Sequence, residues 1–461
     1  MSGTGPPATS PSVVTPPGTS REELARLWSL GWPVSLGGIG MLAMGLVDIA
    51  VVGMIPGEDA LAALAVGNLW VHGTGVVARG VLMGLDPVVS QAFGARDDAA
   101  AARALRAGLV TSGIVSVGLI AAYLLAGPGL RLLGQPDDVL PIASEYAASV
   151  AIGVPASLAY WAVRQFLQGL GVMKPASWAI LWANLLNLLL DPWLVFGGLG
   201  VPALGPVGAG YATAASQWFM LGLLLWLSRR ELAPWWRGAD GVPTPEVGRL
   251  MWLGGGIATQ MALEVWAFNA AGVLMGWFGK TELAAHQVAL ALAASAFMIP
   301  LGLSAGAATR VGNLIGAGHD WRRTGWLAIG LGGTSMIATA TLFGLAPELV
   351  ARWFSGEPEV VALAASLLPL AGAFALFDGV QVMCFGVLRG AGDVHVPTVF
   401  NLVVWWFVAL PLAVTRTLAP DGAPIDVWRS LVLGLILVSI LLVTRVWWVG
   451  RRGVARVSLD T

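Results

Sequence analysis

Charge is scarce in this chain. Of 461 residues, 11% are Asp, Glu, Lys or Arg and 57% are hydrophobic, whereas a soluble protein carries about 25% charged residues. A water-exposed surface needs more polar groups than that, so the composition excludes a soluble globule and leaves a polytopic membrane protein; the mean hydropathy is +0.77. Cysteine occurs once, at Cys384, which excludes an intrachain disulfide and a cysteine-based metal cluster. Lysine occurs twice, at Lys174 and Lys280. That bias toward arginine, with abundant Ala and Gly, points to a GC-rich genome more than to a function. The four histidines (His72, His286, His319, His395) are scattered, and no HExxH, GxSxG or paired His–acid motif is present, which argues against an intramembrane enzyme. The net charge of −1 carries no nucleic-acid footprint. Residues 1–20 are uncharged and rich in Pro, Ser, Thr and Gly. They lack the basic start and apolar core of a signal peptide and read as a disordered cytoplasmic tail.

What is abundant is long apolar runs. A helix needs about 20 apolar residues to cross a bilayer, and twelve such segments can be marked: 27–54, 60–85, 105–127, 139–163, 175–198, 207–228, 249–278, 283–309, 325–346, 360–388, 396–415 and 428–449. Breakers separate them, among them Pro56-Gly57, Gly134 to Pro136, Pro202, Pro243, Pro245, Gly356 to Pro358 and Pro420 to Gly422. With the N-terminus inside, nineteen basic residues fall on the inner side and five on the outer. The positive-inside rule then places both termini in the cytoplasm, as an even number of spans requires. Tryptophans at span ends (Trp28, Trp235, Trp236, Trp447, Trp448) suit an interfacial belt, whereas Trp161, Trp182, Trp266, Trp405 and Trp406 lie deeper.

The halves of the chain resemble each other. ALAALAV (60–66) matches ELAAHQV (282–288), and VVSQAFGARDD (88–98) matches RVGNLIGAGHD (310–320), both at an offset of 222 residues. QGLGVMKP (168–175) echoes RGAGDVHVP (389–397) with one insertion. Six spans per half make the repeats parallel, as in transporters whose substrate site lies between rocking halves. The expected organisation is a tail (1–20), an N-lobe (21–228), a cytoplasmic linker (229–248), a C-lobe (249–450) and a second cytoplasmic tail (451–461).

Carboxylates inside the spans are costly and mark function by default. Asp48 stands in span 1. Asn184, Asn187 and Asp191 in span 5 are spaced i, i+3 and i+7 on one helical face, and Pro192 frees a backbone carbonyl beside them. Gln260 and Glu264 share a face of span 7, and Asp378 and Gln381 a face of span 10. The competing reading makes these acids helix caps or partners of Arg79 and Arg164. Asp86, before Pro87 at the end of span 2, reads as structural. His286 is either a titratable group or a hydrogen-bonded structural one.

Seven stretches in this order and on these spans carry a resemblance: GLVDIAVVG (45–53), PVVSQAFGA (87–95), LNLLLDP (186–192), ALEVWAF (262–268), ELAAHQVAL (282–290), GNLIGAG (312–318) and FDGVQVMCFGVLRGAGD (377–393). Along residues 24–450 the chain resembles the MATE (multidrug and toxic compound extrusion) transporters of the MOP flippase superfamily. The resemblance implies an all-α membrane fold of twelve transmembrane helices in two six-helix lobes around a central cavity. It also implies a cation-coupling cluster in the N-lobe, matching Asp48, Asn187, Asp191 and Thr213. In the NorM-like branch it implies a C-lobe cation site, matching Glu264 and Asp378. That branch often lacks the acid at Asp191, so this sequence carries both sets and the coupling ion, H+ or Na+, stays open, with Na+ sites at Glu264 and Asp378 or at Asp48 and Asp191. Asn184, Gln260, Trp266, His286, Gln287 and Gln381 are candidate cavity residues.

The expected function is therefore antiport, a cation entering as an organic and mainly cationic drug or metabolite leaves. No cofactor is expected beyond the coupling ion. The expected setting is a monomer in the lipid bilayer of the bacterial inner membrane. A flippase for a lipid-linked saccharide is the alternative, although its pyrophosphate calls for a more basic cavity. A channel is the third reading, which saturable uphill flux would exclude.

Overall fold

The computed structural model describes residues 14–55, 59–198, 200–236 and 244–457. Twelve long helical segments account for most of them: α1 Ser20–Val52, α2 Asp59–Leu82 (continued by the short helix Leu85–Gly94), α3 Asp98–Leu124, α4 Leu140–Ala151 with Val154–Gly169, α5 Lys174–Phe196, α6 Pro206–Leu227, α7 Thr244–Phe278, α8 Lys280–Gly316, α9 Arg322–Leu345, α10 Pro358–Gly390, α11 His395–Thr417 and α12 Pro424–Arg452. Their starts follow local chemistry. Thr19 and Glu22 form a capping box at α1, and Asp97 accepts from Ala100 N at α3 (2.9 Å). Gly279 (φ 153°) allows the sharp turn between α7 and α8.

Ten helices among the described residues are long and apolar enough to cross a membrane, and the two pieces of α4, bent by 49°, make an eleventh. The twelfth, α6, is 22 residues long but carries Tyr211, Thr213, Ser216 and Gln217, which dilute its apolar character. The bend in α4 falls at Gly153. A β-carbon there would stand 2.8 Å from Ala214 Cα of α6, so the break lets two backbones meet. In α11, residues Trp405–Ala409 form a π-turn just before Pro411, whose missing N–H disrupts the regular ladder.

The repeat is realised as reciprocal contacts. Gly31 meets Leu303 and Gly254 meets Val81: added β-carbons would lie 2.6 and 2.8 Å from the facing Cα atoms. Gly302 meets Ser35 (2.7 Å) and Gly80 meets Ala258 (2.5 Å) by the same measure. Val81 and Leu303, like Gly80 and Gly302, are 222 residues apart. The two lobes, α1–α6 and α7–α12, are thus related by a pseudo-twofold, with α1 against α8 and α2 against α7.

These approaches cluster toward the face that carries both ends of the described chain. There the lobes are also joined by ion pairs: Glu23 with Arg310 (2.7 Å), Arg103 with Glu246 (2.7 Å), Asp86 with Arg389 (3.1 Å) and Asp97 with Arg456 (2.9 Å). Burial explains why several helices outrun their expected bounds here. The charges at their ends are paired with the other lobe rather than left in water, so α8 continues to Gly316 and α7 starts at Thr244.

Two expectations change, for the N-terminal tail and for Trp235. Of the tail read as disordered, residues 1–13 lie outside the described residues, but the rest is held in place: Arg310 donates to Thr15 O (3.0 Å) and Arg323 to Gly18 O (3.1 Å). The C-terminal tail is likewise held, with Val457 N donating to Gln91 Oε1 at 2.6 Å, and residues 458–461 lie outside the described residues. In the linker, 237–243 are outside them too, while Arg229–Trp236 is helical. Trp235 is buried, edge-on to Phe166 at 5.7 Å, and so does not belong to an interfacial belt. Trp447 and Trp448 instead receive Arg451 and Arg452 at 4.0 and 3.8 Å.

Candidate functional site

Each lobe holds a cavity lined by intramembrane carboxylates. The N-lobe cavity, about 110 Å³, is lined by Asp48, Thr213, Tyr146, Gln217, His72 and Arg79, among apolar residues of α1, α2, α4 and α6. The i, i+4 spacing on α5 brings Asn187 Nδ2 to Asp191 Oδ1 (3.3 Å). Thr213 Oγ1 of α6 donates to Asp48 Oδ2 (3.1 Å). Asp48 is 4% exposed, Asn187 and Asp191 not at all, and the Asp48 and Asp191 carboxyls face each other. Three helices thus bring all four N-lobe residues together. Asp48 Oδ1, Asp191 Oδ2 and Asn187 Oδ1 are buried without a hydrogen-bond partner. Oxygen atoms so placed suit a proton or a small hard cation.

The C-lobe cavity, about 290 Å³, is lined by Glu264, Asp378, Gln260 and Gln381 among Phe268, Phe297, Phe374 and Phe385. Gln381 Nε2 donates to Glu264 Oε1 at 2.8 Å. Asp378 and Glu264 therefore face one space, with an amide fixing one of them and aromatic walls around both. Among the described residues no group of three or more His, Cys, Asp or Glu gathers as a metal site. Each carboxylate pair instead stands with neutral oxygen donors.

Other candidates lie elsewhere. Asn184 Nδ2 donates to Gly40 O of α1 (2.6 Å) and serves as a helix–helix tie. His286 is fully buried, edge-on to Trp428 at 5.7 Å. Trp266 (43% exposed) and Gln287 are exposed and line neither cavity. Neither arginine pairs with Asp48, Asp191, Glu264 or Asp378 among the described residues. Arg164 stacks on Trp161 at 4.3 Å, and Arg79 lines the N-lobe cavity without an ion pair among the described residues. Asp86, read as structural, is a hub that accepts from Gln165 (3.1 Å) and Gln168 (2.9 Å) while pairing with Arg389.

Sequence reasoning passed over Asn401. This fully buried α11 residue lies beside Glu264, just before the π-turn. Trp406 in that turn donates to Leu263 O at 3.2 Å, tying α11 to the residue preceding Glu264. The available signal was a lone Asn within the apolar run VPTVFNLVVWWF.

Two pseudo-symmetric six-helix lobes, each with intramembrane acids around a cavity, define the class of secondary transporters. The MatE family model matches residues 33–193 and 257–415, one match in each lobe. The chain belongs to the MatE family, a family of transporters and not of enzymes. It is 33% identical over 435 residues to the probable multidrug resistance protein NorM of Rhodopseudomonas palustris, covering 92% of each chain. It is 34% identical over 453 residues to that of Deinococcus radiodurans, covering 94% of this chain and 96% of the other. The fold matches the crystal structure of the eukaryotic MATE transporter AtDTX14 with a TM-score of 0.85, at 23% identity and over 93% of this chain and 96% of that one.

Proposed function

We propose that the chain is a cation-coupled antiporter that exports organic, mainly cationic, drugs or metabolites by alternating access. The observation that carries the reading is the buried Asp48–Asp191 pair with Thr213 and Asn187. Two carboxylates facing each other out of water repel unless a cation sits between them. Such a pair exchanges H+ or Na+ for a competing positive charge, and that competition couples the fluxes. Glu264 and Asp378 supply a second pair in the larger, aromatic-lined cavity, whose walls suit a partly aromatic cation. The names of the relatives, which speak of multidrug resistance, support export. In this reading the face with both termini is cytoplasmic, on the positive-inside bias, the protein is a monomer in the bacterial inner membrane, and lobes packed at that face suit a state open to the outside. Ethidium-loaded proteoliposomes test it. An inward H+ or Na+ gradient should drive ethidium out, and the absence of flux under both gradients would remove the reading.

A further inference from the structure

Arg79 differs from most arginines inside the protein. Arg310, Arg389, Arg103 and Arg445 each have a carboxylate within 3.1 Å, and Arg164 has the Trp161 ring. Among the described residues Arg79 has no such partner, although Asp48 lines the same cavity. Arg79 is half-buried, and a guanidinium inside a membrane span without a counter-charge is costly and marks function. Space is kept for it, because a β-carbon on Gly75 would stand 3.2 Å from both Arg79 Nη1 and Tyr123 Oη. The polar residues around it are held in place by the backbone. Tyr123 Oη donates to Val71 O (3.0 Å), and His72, anchored through Nδ1 at Asn68 O (3.1 Å), lines the same cavity.

We propose that Arg79 forms an anion subsite in the N-lobe cavity, which takes the carboxylate of a zwitterionic organic substrate. The size fits one group and not a whole ligand. A cavity of about 110 Å³ holds a carboxylate or several waters, well below the volume of a drug-sized site. The planar fork of arginine matches a carboxylate. The cavity then offers both signs, Asp48 for a cation and Arg79 for an anion. The inference rests on the export reading for its substrate, and it widens the substrate class beyond simple cations.

The test measures equilibrium binding to the purified full chain with three probes: norfloxacin, which carries a carboxylate and an ammonium, its methyl ester, and ethidium. Wild type should bind the acid about tenfold or more tighter than the ester, the scale of a charge-assisted hydrogen bond. Arg79→Gln should bring that ratio near one with ethidium binding unchanged, and Arg79→Lys should restore part of it. Equal binding of acid and ester by wild type, or an Arg79→Gln that loses ethidium as much as norfloxacin, would overturn the subsite. If Arg79→Gln fails to fold, the wild-type ratio and Arg79→Lys decide. Gradient-driven ethidium flux in wild type is scored separately, so failure of antiport is distinguishable from failure of the subsite.

Discussion

Gln91 and Asn313 make the same bond in opposite directions. Gln91 Nε2, in the N-lobe, donates to Gly390 O of the C-lobe at 2.9 Å. Asn313, 222 residues later, faces Gly169 O of the N-lobe at 3.2 Å and Ser90 O at 2.7 Å once its amide is oriented to satisfy both acceptors. Gly169 and Gly390 are themselves equivalent in the repeat, so the pseudo-twofold passes between these amides. In the proposed alternating access, a contact shared equally by the two lobes would serve as a common pivot.

Gly94 and Gly316 flank that pivot, and a β-carbon on either would collide with the facing carbonyl, Asn313 O or Gln91 O. Alanine at each site should cost a similar amount, about 1–3 kcal/mol, read as a drop in the unfolding midpoint in detergent. A large loss at one site and none at the other would contradict the pseudo-symmetry.

Two ion pairs between the lobes should behave differently. Glu23 is fully buried, bound by Arg310 through two bonds (3.1 and 2.7 Å) and by Thr324 (3.0 Å). Glu23→Gln leaves Arg310 with a buried, unmatched charge and should cost about 3–5 kcal/mol, or open the terminal face to a thiol reagent at an engineered cysteine. Asp97 and Arg456 are each more than a third exposed, so solvent screens them and Asp97→Asn should cost at most about 1 kcal/mol.

The Asp97 pair also carries a pH signature. The Ala100 N–H first, and Arg456 after it, hold the Asp97 carboxyl below its ordinary value. A depressed carboxyl contributes fully above the unfolded value of about 3.9 and loses its contribution as pH falls through the lower folded value. Asp97→Asn should therefore cost its small increment at pH 7 and nothing in acid, where a melting series on both proteins would converge.

In the N-lobe, Asp48→Asn and Asp191→Asn should each abolish H+-driven efflux while the protein still assembles. Thr213→Val removes only one hydrogen bond to Asp48 and should slow efflux about tenfold. Unchanged H+-driven flux in Asp48→Asn would move coupling out of this lobe.

In the C-lobe, Glu264→Gln should abolish Na+-driven efflux if that pair couples Na+, and Gln381→Ala should weaken it about tenfold by removing the 2.8 Å bond. Voltage separates the stoichiometries. One cation in for one monovalent cation out moves no net charge, whereas each extra charge gains about 2.3 kcal/mol per 100 mV. A potassium diffusion potential alone should leave a one-for-one exchanger still.

The spans and the repeat were determined by the sequence alone, because hydrophobic run length and a fixed 222-residue offset are properties of a line of residues. So was the Asn187–Asp191 bond, since i, i+4 spacing on a helix places two side chains together wherever the helix lies. Partner choice was decided by the tertiary structure. Helical arithmetic put Asn184 on the face of Asn187 and Asp191, yet α1 passes close enough for Gly40 O to claim it. Nothing local distinguishes Trp235, buried against Phe166, from Trp447, which meets an arginine. Asp86 reads as structural from the sequence, but its partners, Gln168 and the repeat-equivalent Arg389, converge on it from the two lobes only in the fold. Asn401 gained its meaning only when α11 was laid against α7. The physical reason is the same throughout. Burial is a one-dimensional tendency, but a hydrogen bond or ion pair needs a specific atom within about 3 Å, and here that atom often belongs to another helix or to the other lobe.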